Sequence, residues 1–130
     1  MGYIAPEIME MNEENPKKYS QECDIYSLGI IAYTLVIGSL PFRVESENYF
    51  DKKIVWEMFD KPECSELDPK ILDFLARLLE KSPKNRYTAK QALESEFFTN
   101  PKVVEGLYDY HERRRKERYD KILKIANIQY

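Results

Sequence analysis

Apolar and polar positions follow helical spacing along nearly the whole chain. From Leu28 to Ile37 the run LGIIAYTLVI is apolar on every side, interrupted only by Gly29 and Thr34. That is the pattern of a helix that neighbours enclose on all faces, and it makes this segment the expected centre of the core. Ser20 is placed to cap the start of the helix, and Glu22 and Asp24 fall in its first turn, where the helix dipole favours acids. Gly38 supplies the stop, and Pro41-Phe42 the turn after it. Phe50, Ile54 and Met58 recur every four residues and predict a second, amphipathic helix over 47–59 with a charged opposite face.

Asp68 as N-cap, Pro69 at the first helical position and Leu67 set to staple onto Leu72 start a third helix. Its predicted buried face is Ile71, Leu72, Leu75, Leu78 and Leu79, and Ser82-Pro83 ends it. Thr88 with Gln91 forms a capping box for a short fourth helix that closes at Phe97-Phe98. In 102–130 aromatic and aliphatic residues flank the charged centre HERRRKER. Asp109/Arg113, Glu112/Lys116, Glu117/Lys121 and Asp120/Lys124 each place acid before base at i,i+4, the order that supports an exposed helix. The expected fold is all-α.

Composition narrows the class of protein. With 130 residues, 43% hydrophobic and 33% charged, the chain has the balance of one soluble globular domain with a real core. Twenty basic side chains against 23 acidic leave a net charge of −3, so neither nucleic acid nor an anionic membrane is an expected partner. The basic cluster Arg113, Arg114, Arg115, Lys116 and Arg118 is interleaved with acids and reads as a solvated helix face. Cys23 and Cys64, without a CxxC or a Cys/His cluster, read as reduced thiols of a cytoplasmic protein. No apolar run is long enough to span a bilayer. His111 sits among charges with no metal-ligand spacing around it and is expected at the surface.

Four short motifs carry a resemblance. Tyr3-Ile4-Ala5-Pro6-Glu7 resembles the Ala-Pro-Glu signature that closes the activation segment of eukaryotic protein kinases. Asp24-Ile25-Tyr26-Ser27-Leu28-Gly29 is similar to the Asp-x-Trp-Ser-x-Gly that starts the central helix of the kinase large lobe. Gly38-x-x-Pro41-Phe42 follows, and then Leu79 to Arg86, similar to Leu-x-x-Asp-Pro-x-x-Arg. The form Tyr-Ile-Ala-Pro-Glu looks like the serine/threonine branch. Three positions depart from the pattern: Tyr26 stands where Trp is commonest, Ser82 where Asp is usual, and Thr34 where several kinases that prefer basic substrates have Glu.

The resemblance implies the lower half of a protein-kinase-like C-terminal lobe over residues 1–98, followed by a charged helical extension, 99–130. For the parent family it implies transfer of the γ-phosphoryl group of Mg-ATP to a protein Ser or Thr hydroxyl. It makes Tyr3, Ile4, Ala5 and Pro6 part of a substrate-binding loop, Glu7 and Arg86 a buried ion pair, and Asp24 the aspartate that holds the backbone of the catalytic loop. The chain contains no G-x-G-x-x-G, Val-Ala-Ile-Lys, His-Arg-Asp or Asp-Phe-Gly. No catalytic residue, metal ligand or cofactor is therefore expected in it, and it is expected to be inactive alone. The expected partners are a protein substrate or docking partner, plus self-association through whichever side of the 20–37 helix stays uncovered. The alternative is a non-catalytic interaction module that docks a partner through the lower helices, 47–59 especially.

Overall fold

The computed structural model describes residues 4–9, 13–14, 19–41 and 58–128. Tyr3 and all of the predicted 47–59 helix except its last residues, Met58 and Phe59, lie outside them. Among the described residues the regular structure is all helical, as expected: α1 (Pro6–Met9), α2 (Gln21–Ile37), α3 (Pro62–Ser65), α4 (Pro69–Leu78), α5 (Ala89–Glu94), α6 (Glu96–Thr99) and α7 (Pro101–Ile128).

Helix α2 begins after Ser20, whose backbone is extended but whose side chain caps no amide. The neighbouring Ser20 side chain is instead the main cause that holds the Glu22 carboxyl below the usual carboxylate range. The helix ends at Gly38 with φ 91°, where its N–H donates to the Thr34 carbonyl, a left-handed cap that suits glycine. Inside α2, Gly29 marks the crossing with α4. A Cβ on it would lie 2.9 Å from both Leu78 Cβ and Leu79 Cδ2, so the two helices approach closer than any larger residue permits. Ile30, Tyr33, Ile71, Leu75 and Leu78 are fully buried, and Val103 of α7 joins the same core. The Tyr33 hydroxyl donates to the Met58 carbonyl, and its ring meets Phe59 edge-on at 5.9 Å.

The expectation that protein encloses α2 on every side does not hold. Leu28, Ile31 and Leu35 are 51%, 47% and 72% exposed and form one stripe at i, i+3 and i+7. An apolar face permits burial but does not supply the neighbour, and α4 covers only the face that carries Gly29.

At the start of α4 the Asp68 side chain accepts from the Lys70 amide at 2.9 Å, with Pro69 in the first turn. Its buried face is Ile71, Phe74, Leu75 and Leu78, continued by Leu79. Leu72 is only half-buried. Phe74 takes the place assigned to it because the Phe74 ring stacks on Phe97 at 4.4 Å, with 9° between the planes. The Thr88/Gln91 capping box is present, with bonds of 2.9 and 3.1 Å. The single fourth helix is in fact two, because Ser95 is extended (φ −67°, ψ 157°) and its hydroxyl donates to the Ala92 carbonyl at 2.6 Å. That break carries Phe97 and Phe98 to Phe74, at 4.4 and 5.6 Å between ring centroids.

Helix α7 docks along its first half, where Val103 and Tyr110 are buried. Arg113 and Arg114 reach Glu66 and Glu63 at 3.8 and 3.9 Å. His111 is exposed, as expected, yet its Nε2–H donates to the Val36 carbonyl at 3.1 Å, one of the carbonyls that the end of α2 leaves without an intrahelical partner. Within α7 the ion pairs are Arg114–Glu117 and Arg115–Glu112, both at i,i+3, and not the four i,i+4 pairs expected. Arg113, predicted to pair with Asp109, turns to Glu66 because the helix is docked there and not surrounded by water.

Candidate functional site

The stretch Ala5-Pro6-Glu7 forms the first turn of α1, with Ala5, Pro6, Glu7 and Ile8 all buried. Proline's fixed φ and missing N–H suit a helix start, where that donor would have no partner. Burial of Pro6 and Ile8 directs Glu7 inward. The opposing residue, Arg86, sits in the loop between α4 and α5. That loop is shaped by a turn in which the Ser82 carbonyl accepts the amides of Asn85 and Arg86, each at 3.1 Å.

The structure brings these two residues together across 79 positions. Arg86 Nη1 donates to Glu7 Oε1 at 2.7 Å and Nη2 to Glu7 Oε2 at 3.0 Å, the parallel fork in which planar guanidinium and planar carboxylate match. The Arg86 side chain has no exposure and that of Glu7 is 11% exposed. The remaining three donors are also used: Nη1 donates to the Glu22 carbonyl at 2.6 Å, Nη2 to the Lys81 carbonyl at 3.2 Å and Nε to the Glu80 carbonyl at 2.9 Å. All five N–H groups of the guanidinium are thus bonded, the full capacity of the side chain. The group also lies over the Tyr26 ring, 5.0 Å from its centroid. Burial pushes the Tyr26 hydroxyl up to about 12, the positive charge of Arg86 opposing that shift.

One side chain therefore joins α1, the start of α2 and the α4–α5 loop. Burying a charge is favourable only when its hydrogen bonds are replaced, and here every one is. The arrangement fixes three segments and offers no nucleophile or proton-transfer group. Asp24 lies exposed in the first turn of α2. Ile4 is exposed at 42%, next to buried Ala5 and Pro6. Among the described residues no group of three or more His, Cys, Asp or Glu could hold a metal ion, and no helix is long and apolar enough to cross a membrane. Cys23 and Cys64 are free and buried.

The sequence points to Glu7 and Arg86 but not to the other ligands of Arg86. Three are main-chain carbonyls, which leave no mark in side-chain pattern. Tyr26 could have been found, since an aromatic ring near an arginine of a buried ion pair is a natural seat for the guanidinium face.

Residues 1–98 match the family model described as protein kinase domain. Calcium/calmodulin-dependent protein kinase type 1B of Rattus norvegicus is 36% identical over 95 residues, covering 72% of this chain and 26% of the relative. A CDPK-related protein kinase of Daucus carota is 37% identical over 93 residues, 70% of this chain and 14% of the relative. The match thus takes in about a quarter or less of the length of these relatives. Among solved structures, titin kinase and its flanking domains superposes with a TM-score of 0.58 at 30% identity, over 76% of this chain and 18% of that one. The autoinhibited serine kinase domain of the giant muscle protein titin gives 0.57 at 29%, over 76% and 30%.

Proposed function

Because this chain belongs to the protein kinase family, we propose that it forms the lower, scaffolding part of the large lobe of a cytoplasmic serine/threonine protein kinase. The reaction of the whole protein is then transfer of the γ-phosphoryl group of ATP to a Ser or Thr hydroxyl of a protein substrate, a process that rests on positioning and charge neutralisation. The observation that carries this reading is the Glu7–Arg86 fork, which ties the Ala-Pro-Glu segment to the α4–α5 loop at 2.7 Å across 79 residues. Its work in such a lobe is to hold the substrate-facing residues Ile4 to Pro6 in place, with exposed Ile4 as the part a bound protein touches. In this reading Asp24, exposed at the head of α2, has the role of receiving the backbone of a catalytic loop.

Mg-ATP, which the family implies, does not fit the residues present: the described part offers no metal-ligand cluster, and the sequence has neither glycine loop nor Asp-Phe-Gly. Alone, the chain is expected to be inactive. Calorimetric titration with Mg-ATP tests this directly; no saturable heat is expected, and a micromolar dissociation constant would overturn the proposal.

A second reading, a protein-docking module, is favoured by α7. Tyr119, Ile122, Leu123 and Ala126 lie at i, i+3, i+4 and i+7, the first three of them exposed, the spacing with which a helix enters an apolar groove. Seven basic side chains against two acidic between 113 and 128 suit an acidic groove, and basic amphipathic helices of this kind are typical calmodulin targets. The name of the rat relative supplies that partner by analogy alone. Titration with calcium-loaded calmodulin should saturate with the intact chain and fail with Ile122→Asp; no binding by the intact chain would remove this reading.

A further inference from the structure

Ser82 is the only serine or threonine in the chain that proline follows. It lies in the loop between α4 and α5, where residues 81–85 are exposed or half-exposed. Among the described residues its hydroxyl has no hydrogen-bond partner. The segment just before it is pinned, since Arg86 holds the Glu80 and Lys81 carbonyls at 2.9 and 3.2 Å. The hydroxyl is thus free on a loop whose base is fixed. Lys81 precedes it and Lys84 follows two residues on, so a negative charge at Ser82 meets positive neighbours. Arg86 adds no competition, because its five N–H groups are already committed.

We propose that Ser82 is a phosphorylation site for a proline-directed Ser/Thr protein kinase. The step breaks the bond between the γ-phosphorus of ATP and its bridging oxygen, and forms the bond from that phosphorus to Ser82 Oγ. The hydroxyl proton passes to the base of the modifying kinase, and ADP departs. The product carries close to two negative charges at pH 7 beside Lys81 and Lys84, at a position where the family pattern usually has an aspartate. This goes beyond the proposed function and does not depend on it, since the chain is here the substrate. The Ser82 carbonyl keeps its bonds to the Asn85 and Arg86 amides once the turn has reclosed.

The test incubates the purified 130-residue chain with a proline-directed Ser/Thr kinase and Mg-ATP, and reads intact mass and fragment spectra. One phosphate per chain, located on Ser82, is expected. Ser82→Ala should take up none, Ser82→Thr should restore it, and Pro83→Ala should slow the reaction by about tenfold or more, each variant being checked for unchanged helical circular dichroism. Localisation on the wild-type chain decides the matter even if a variant misfolds. Phosphate placed elsewhere, none at all, or uptake by a synthetic 77–90 peptide without uptake by the chain would overturn the proposal.

Discussion

Replacing Arg86 is the most informative perturbation of this structure. Arg86→Ala takes the guanidinium from a carboxylate that is only 11% exposed, and breaking a buried pair in this way costs on the order of 3–5 kcal/mol. It also strips donors from the carbonyls of Glu22, Glu80 and Lys81. The loop can relax toward water, so this adds about 1 kcal/mol rather than the full penalty for each. A loss near 5 kcal/mol would consume between a third and all of the roughly 5–15 kcal/mol that holds a domain folded. Arg86→Lys keeps the charge but has three donors for five acceptors and no planar fork, so roughly half that loss is expected. The assay is urea unfolding followed by far-UV circular dichroism on Arg86→Ala, Glu7→Ala and the double variant. The coupling energy should exceed about 1 kcal/mol and change little with added salt, because buried charges are weakly screened. Coupling within about 0.5 kcal/mol of zero, or an Arg86→Lys chain as stable as wild type, would refute the argument.

Three further outcomes follow from the packing. Gly29→Ala should destabilise by about 1–3 kcal/mol through the 2.9 Å clash with Leu78 and Leu79, although helix propensity alone predicts a gain of about 1 kcal/mol; thermal melts give the sign. Tyr26, whose folded-state pKa is raised from 10.0 to about 12, contributes stability that is complete below pH 10 and lost as pH rises from 10 to 12, because only the unfolded chain ionises there. Tyr26→Phe should flatten that alkaline limb in pH-dependent melts. The chain should self-associate through Leu28, Ile31 and Leu35, and Leu35→Lys should shift light scattering toward monomer; a wild-type chain that is already monodisperse and monomeric would contradict this.

What could be read ahead of the structure was mostly local. The caps at Asp68 and Thr88 and the glycine stop at Gly38 need only two or three neighbouring residues, and all three form. Burial was less legible, because it depends on distant partners. Leu35 has the same neighbours in sequence as a core residue but is 72% exposed. Phe74 displaces Leu72 from the buried face only because Phe97 arrives from beyond the Ser95 break. His111 read as an ordinary surface residue, since nothing nearby announces that it meets the end of α2. At the candidate site, family resemblance named Glu7 and Arg86, but pattern could not name the three carbonyls that complete the guanidinium shell.

The Arg86 junction also bears on how the chain folds in time. Two of its four partner residues, Glu7 and Glu22, lie 79 and 64 residues upstream, so it is complete only once α2 and α4 have met and the intervening loop entropy has been spent. Contacts formed this late are mostly absent from the transition state, and substitutions there act on the unfolding rate rather than the folding rate. The fork then serves as a latch on an assembled structure: Arg86→Ala should steepen escape from the native state while refolding proceeds almost unchanged, whereas Gly29→Ala, at the earlier helix crossing, should slow refolding.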